Sequence, residues 1–163
     1  MNNFSNSADV NFRFTFPMLP FMNYEKGTDV LLYCKNVNLP GVAGEITNIG
    51  TPFIPIKDVS NILTYEDLSL SFAIDELFKN YKYLYNWRLA LKNPEEFGFK
   101  TKREKVNGTL HILTNNKNPI IDIVFHNLLP VSIGNIDFAH TSSTSDDLMV
   151  NASFAFDYFT IEE

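Results

Sequence analysis

Leu68, Leu70, Phe72 and Ile74 alternate with Ser69, Ser71 and Ala73, a period of two residues. Only an extended chain brings i, i+2 and i+4 to one face, so this run is a strand with one apolar and one polar side. The period recurs at Val10, Phe12, Phe14 and Phe16, which oppose Asn11, Arg13 and Thr15 and stop at Pro17. It recurs again at Val150, Ala152, Phe154, Phe156 and Tyr158, expected to pair with Ile136 and Phe138 as a closing hairpin. Residues 29–37 read as a further strand ended by Pro40 and Gly41, and residues 109–114 and 119–126 as a hairpin across 115–118. Residues 128–134 read as a short connector. A chain built this way must deal with its sheet edges, because an unpaired edge strand invites another chain.

The period changes once. Leu77, Tyr81, Leu84, Arg88 and Leu91, joined by Phe78 and Tyr85, recur at helical spacing. The spacing predicts one helix over about 76–92, capped by Asp75 and ended by Asn93 before Pro94. Residues 40–64 differ from both patterns. They are apolar enough to bind something, yet Pro52, Pro55 and three glycines keep them out of a central strand. They read as an extended arm or edge ribbon that covers an edge of its own sheet or of a neighbour's. The expected architecture over residues 1–163 is therefore a single, mainly β domain: an antiparallel sandwich or barrel with one flanking helix and an inter-subunit arm.

Composition narrows the function classes. With 45% apolar residues, 15 of them Phe, a chain of 163 residues buries a real core. Its 13 Lys and Arg against 19 Asp and Glu give a net charge of −6, the wrong sign for a surface that grips nucleic acid. The lone Cys34 makes no intramolecular disulfide, and the first ten residues lack the basic and apolar regions of a secretory signal. A cytosolic chain without membrane insertion is expected.

The residues that could carry chemistry do not cluster. His111, His126 and His140 lie on separate segments. If residues 115–118 close a simple hairpin, His111 faces Asp122, which reads as a surface charge pair in preference to a metal site. Cys34 falls on the inward side of its strand and reads as a structural thiol. The acidic neighbours Glu66 with Asp67, Glu95 with Glu96 and Asp146 with Asp147 point different ways in an extended chain, which does not make a general acid and base pair. No phosphate-binding glycine loop occurs. The basic stretch Lys100–Lys105 includes Glu104 and reads as a solvated loop. No catalytic, cofactor or metal residue is expected.

The order of these features is more specific than any one of them. The Leu39-Pro40 turn, an arm, a strand opened by Tyr65, Glu66 and Asp67, a helix with Trp87, the connector Pro130 to Gly134 and the closing Asp157-Tyr158 pair together resemble the tail-tube proteins of contractile-tailed phages. The resemblance covers about residues 28–160. It implies a structural virion protein without catalysis, whose hexameric rings stack into the inner tube of a contractile tail, assembled in the host cytoplasm. The implied partners are further copies of the chain, sheath protein, baseplate and tail-terminator proteins, while DNA passes through the lumen without specific binding.

On that footing Leu39, Pro40, Gly41, Ile46, Pro52, Phe53, Ile54, Pro55 and Ile56 are expected to contact neighbouring subunits. Asn135, Asp137, Asn151, Ser153 and Asp157 are expected to face the channel, where carboxylates repel phosphate. Three alternatives remain open at this point. One is a tube of a phage-derived injection or type VI secretion system, and another a tube-like ring of the baseplate or tail end. The third, from a different class, is a β-barrel that carries a small ligand; a hydrolase built on His126 or Asp122 stands further off.

Overall fold

The computed structural model describes residues 11–16, 30–32, 34–93, 106–114, 116–138 and 148–162, which hold ten strands and one helix. The strands are β1 (Asn11–Phe16), β2 (Val30–Leu32), β3 (Cys34–Asn38), β4 (Val42–Ile49), β5 (Ile56–Tyr65), β6 (Leu68–Ala73), β7 (Val106–Leu113), β8 (Pro119–Ile133), β9 (Met149–Ala155) and β10 (Tyr158–Glu162). The helix α1 spans Lys79–Ala90. Val10, Pro17, Phe97, Phe99, the acidic pairs at 95–96 and 146–147, the basic stretch 100–105 and His140 lie outside the described residues.

All pairings are antiparallel, in the order β2-β1-β7-β8-β9-β6-β3, with β10 also on β8. The two ends of that path, β2 and β3, are consecutive in the chain, so the sheet returns on itself as a barrel. Two strands turn its corner side by side. On β8 a register shift between Pro130 and Ser132 turns Ser132 outward near the strand's end, and earlier Ile123 and Phe125 are buried and then Leu128 and Pro130, so the inward parity also changes at the corner. Asn127 absorbs the change with φ 61, a left-handed conformation that Asn tolerates better than most residues. The β7–β8 register shifts at the same place, between Val106 and Gly108, which identifies a bulge. Across from it β9 gives way to β10 at Asp157, whose carboxylate accepts a 2.7 Å bond from Asn127 Nδ2 while its N–H donates to the His126 carbonyl.

The barrel is filled by rings. Phe14, Phe16 and Phe125 come from the β1-β7-β8 side and Phe72 and Phe154 from the β6-β9 side, all fully buried. Trp87 of α1 joins them, edge-on to Phe16 at 5.6 Å and tilted against Phe154 at 6.0 Å. Its indole N–H finds no hydrogen-bond partner among the described residues, and a buried orphan of that kind costs about 1–3 kcal/mol. Burying each Phe contributes about 1.5–3 kcal/mol, so the cluster outweighs it.

Several expectations are corrected. The segment 128–133 is not a connector but the far half of β8; Pro130 is tolerated there because β7 ends at Val106, opposite Leu128, and no longer needs its N–H. Ile136 and Phe138 form no strand, and β9 pairs instead with β6 and β8. Of the two forms expected for the arm, extended segment or ribbon, it takes the second, a two-stranded ribbon of β4 with β5. The helix is shorter than expected and Asp75 is not its cap. Asn80 reaches back to donate to the Ala73 carbonyl and accept from the Asp75 N–H, which holds the approach as a turn and puts Phe78 at φ 56 as N-cap. The buried face is Asn80, Tyr83, Leu84, Trp87 and Ala90, rotated from the expected one, so Leu77 and Tyr85 face outward.

Two measurements check this account. A Cβ at Gly108 would meet Leu128 Cδ1 at 2.4 Å and the Phe14 ring at 3.1 Å, both in fully buried side chains. Gly108→Ala is expected to destabilise by about 1–3 kcal/mol in urea unfolding, and Gly108→Ala with Leu128→Ala by less than the two separate losses combined. Additive losses would mean that the corner is looser than described. Burial pushes the Cys34 thiol up to about 12 from an ordinary 9.0. The folded chain is expected to alkylate with iodoacetamide at pH 8 far more slowly than the urea-unfolded chain. The unfolded thiol loses its proton first, so this group costs stability only as pH rises above 9.0 towards 12. Equal alkylation rates would contradict the burial.

Candidate functional site

The ribbon β4–β5 carries most of the residues expected in a contact with a neighbour. It is closed at its root by Glu66 N–H donating to the Gly41 carbonyl at 3.2 Å, beside a buried Pro40. Tyr65 anchors it to the barrel through ring contacts with Phe156 and Phe159 at 5.5 and 5.6 Å. Pro52 and Pro55 lie in the tip, outside both strands, which is why they interrupt neither. At that tip Ile54 N–H donates to Thr51 Oγ1 at 3.2 Å. Leu39, Ile46, Ile54 and Ile56 are exposed, and Phe53 is 95% exposed. A two-stranded ribbon is marginal by itself in water, and an aliphatic one exposed on both sides is a surface awaiting cover.

Of the residues expected on a channel wall, Asn151 and Ser153 share one outer face and the others do not join them there. Two cross-strand rows extend that face: Asn38, Ser69, Ser153 and Ser132, and Asn36, Ser71 and Asn151. The side chains bond across the strands, Ser132 to Ser153 at 2.7 Å and the Ser71 hydroxyl to Asn151. Every one of these groups is a hydroxyl or an amide, so the two rows are polar and uncharged, with exposed Lys35 beside Asn36 at the β3 bulge. Asn135 and Asp137 follow the end of β8, and Asp157 is engaged at the barrel corner. The carboxylates thus stand apart from the Ser and Asn rows.

The opposite outer face holds the charged groups. Arg13, His111, Asp122 and Glu162 stand in register across β1, β7, β8 and β10. His111 Nδ1 meets Asp122 Oδ1 at 2.6 Å, the pairing expected from the hairpin, and His111 Nε2 lies 3.2 Å from Thr15 Oγ1. With Nδ1–H donating to the carboxylate, a neutral His111 offers Nε2 as acceptor to the Thr15 hydroxyl. His126 is stacked on Tyr158 at 4.4 Å with Nε2 3.0 Å from Thr160 Oγ1. His111 and His126 are each tied to a neighbouring strand, which pins register. Among the described residues no group of three or more His, Cys, Asp or Glu is placed to hold a metal ion, and no helix is long and apolar enough to cross a membrane.

Two outward features escaped the sequence reading. Tyr81 and Tyr85 on α1 are parallel rings, 6.4 Å apart and 9° from coplanar. Phe78 stacks on Phe138 at 6.1 Å and meets Tyr81 edge-on. The available signal was the surplus of rings on the helix, more than one buried face can take.

No known family profile matches the chain. In sequence it is similar to the tail tube terminator protein of Enterobacteria phage T4, 28% identical over 139 residues that make up 81% of this chain and 78% of that protein. In structure it is similar to the sheath/tube terminator of the PVC extracellular contractile injection system, with TM-score 0.65, 13% identity and 93% of each chain covered. It is equally similar to the tube-terminating cap of the anti-feeding prophage, with TM-score 0.64, 13% identity and 99% of each chain covered. The chain has the mainly β fold of these two tube-terminating proteins, and it is similar in sequence to a phage tail tube terminator.

Proposed function

We propose that this chain is a non-enzymatic, ring-forming structural protein of a contractile tail, placed at the end of the inner tube as its terminator. The observation that carries the reading is the likeness to the T4 tail tube terminator along most of both chains. It favours the tail-end alternative over the expectation of a main tube subunit repeated along the tail. The likeness in fold to the PVC and anti-feeding prophage proteins supports a contractile device of either phage or injection type. A ligand carrier is disfavoured by the barrel interior, where Phe14, Phe16, Trp87 and Phe154 occupy the space a ligand would need.

In this reading the β4–β5 ribbon reaches a neighbouring subunit, and the contact is head-to-tail, the kind that closes rings. The uncharged rows of Asn151 and Ser153, extended by Ser69, Ser71 and Ser132, line the channel. Rows of hydroxyls and amides do not hold phosphate as a cationic wall would, and the cation beside them among the described residues is Lys35 at the β3 bulge. Sheath, baseplate and the tube itself are the partners, and the virion tail is the location.

Negative-stain microscopy of the purified chain is expected to give discrete rings with a central hole, and rings added to tubes of the matching tube protein are expected to sit at one tube end and stop its growth. Long self-stacked tubes would restore the main-tube reading, and neither rings nor end binding at any concentration would overturn both. Deleting residues 51–55 is expected to leave the fold intact by circular dichroism while ring formation is lost. Normal rings from that variant would remove the ribbon from the interface.

A further inference from the structure

The ribbon and the helix are complementary in chemistry. Residues 41–67 hold Glu45, Asp58, Glu66 and Asp67 against a single cation, Lys57. Residues 79–93 hold Lys79, Lys82, Arg88 and Lys92 and no acid, in a chain whose net charge is −6. All four of those cations are exposed, and so is Tyr85 between them. The ribbon presents aliphatic side chains and a Phe tip, while the helix presents the parallel Tyr81 and Tyr85 rings.

Local stability does not account for the helix face. Cations in the first turn oppose the helix dipole, and Lys79 opens α1 while no acid stands in its first turn. Phe78 takes a left-handed conformation, rare for a bulky residue, and there its ring meets Phe138 and Tyr81. The exposed Lys79 at the start of α1 is a local rule broken, a departure of the kind that functional surfaces show. Within one copy the helix packs on β2 and β8, and the two ribbon strands pack on one another.

We propose that the outer face of α1, with Tyr81, Lys82, Tyr85 and Arg88, is the seat for the β4–β5 ribbon of a second copy of this chain. The inference rests on the reading that the ribbon engages a neighbouring subunit, and it names the surface engaged. The aliphatic side chains cover the Tyr rings, and Glu45 and Asp58 face Lys82 and Arg88. Aromatic rings beside cations also suit nucleic acid. A second copy is the better fit because the same chain supplies both the missing acid and the missing apolar cover.

The test is a charge exchange. At a concentration where the unaltered chain forms rings, Lys82→Glu with Arg88→Glu is expected to stay monomeric by light scattering, and so is Glu45→Lys with Asp58→Lys. Mixing the two variants in equal amounts restores rings, because each acidic helix then meets a basic ribbon and each unaltered helix an unaltered ribbon. Circular dichroism of each variant checks that the fold persists. Rings from the helix variant alone, or a mixture that stays monomeric, would overturn the seat while leaving the ring reading intact. An unaltered chain that never assembles, even with tubes present, would remove the ring reading and the seat with it. Loss of a DNA mobility shift with unchanged rings would assign the face to nucleic acid instead.

Discussion

A strand that serves two sides of a barrel must turn its side chains over at the corner, and β8 does so at Asn127. The rest of the fold depends on that turn. Before it, Ile123 and Phe125 point inward; after it, Leu128 and Pro130 do. Without that turn, strict alternation from Phe125 would aim Asn127, Leu129 and Val131 at the core and leave Leu128 in water. The neighbouring strand follows the same bend at Asp157, and the Asn127 to Asp157 bond joins the two at the corner. Gly108 completes the arrangement from the other side, since any side chain there would enter the space of Leu128 and Phe14.

Closure of the barrel decides where association can occur. A sheet that returns on itself spends most of its backbone donors and acceptors internally, so partners must be met by side chains and by whatever projects. The β4–β5 ribbon is that projection. Its exposed Ile46, Phe53 and Ile56 have no place in the barrel, whose interior is already filled by Phe and Trp rings. Its root, by contrast, is fixed by Tyr65 between Phe156 and Phe159, so the ribbon leaves the barrel in a set direction.

Much of this was legible in the chain where one period dominates. The alternation of Leu68 to Ala73 located β6, Phe12 to Phe16 located β1, and the hairpin placing His111 opposite Asp122 came out in register. The corner was hidden because Pro130 looks like a breaker until one sees that its strand edge no longer pairs. The helix face was misread because Tyr81, Tyr83, Tyr85 and Trp87 give rings on several sides, and periodicity cannot choose among equally apolar faces. Asn151 and Ser153 were found as outward residues, but the rows that extend them were missed. Ser69 and Ser71 are the polar half of the alternation that identified β6, so the same pattern held that information, and only strand order joins it to β9.

The distribution of charge links these surfaces to the position proposed for the chain. The Ser and Asn rows are neutral, and α1 carries cations and no carboxylate. If each ribbon finds the helix of the next copy around a ring, that contact is heterologous and is used up when the ring closes. It then cannot repeat along the axis. A main tube subunit must keep an equally strong contact free at both ring faces to grow without limit, whereas a terminator needs one at a single face. A ribbon spent sideways on a neighbour's helix closes the ring, so growth or its end is decided by the other surfaces that face along the axis.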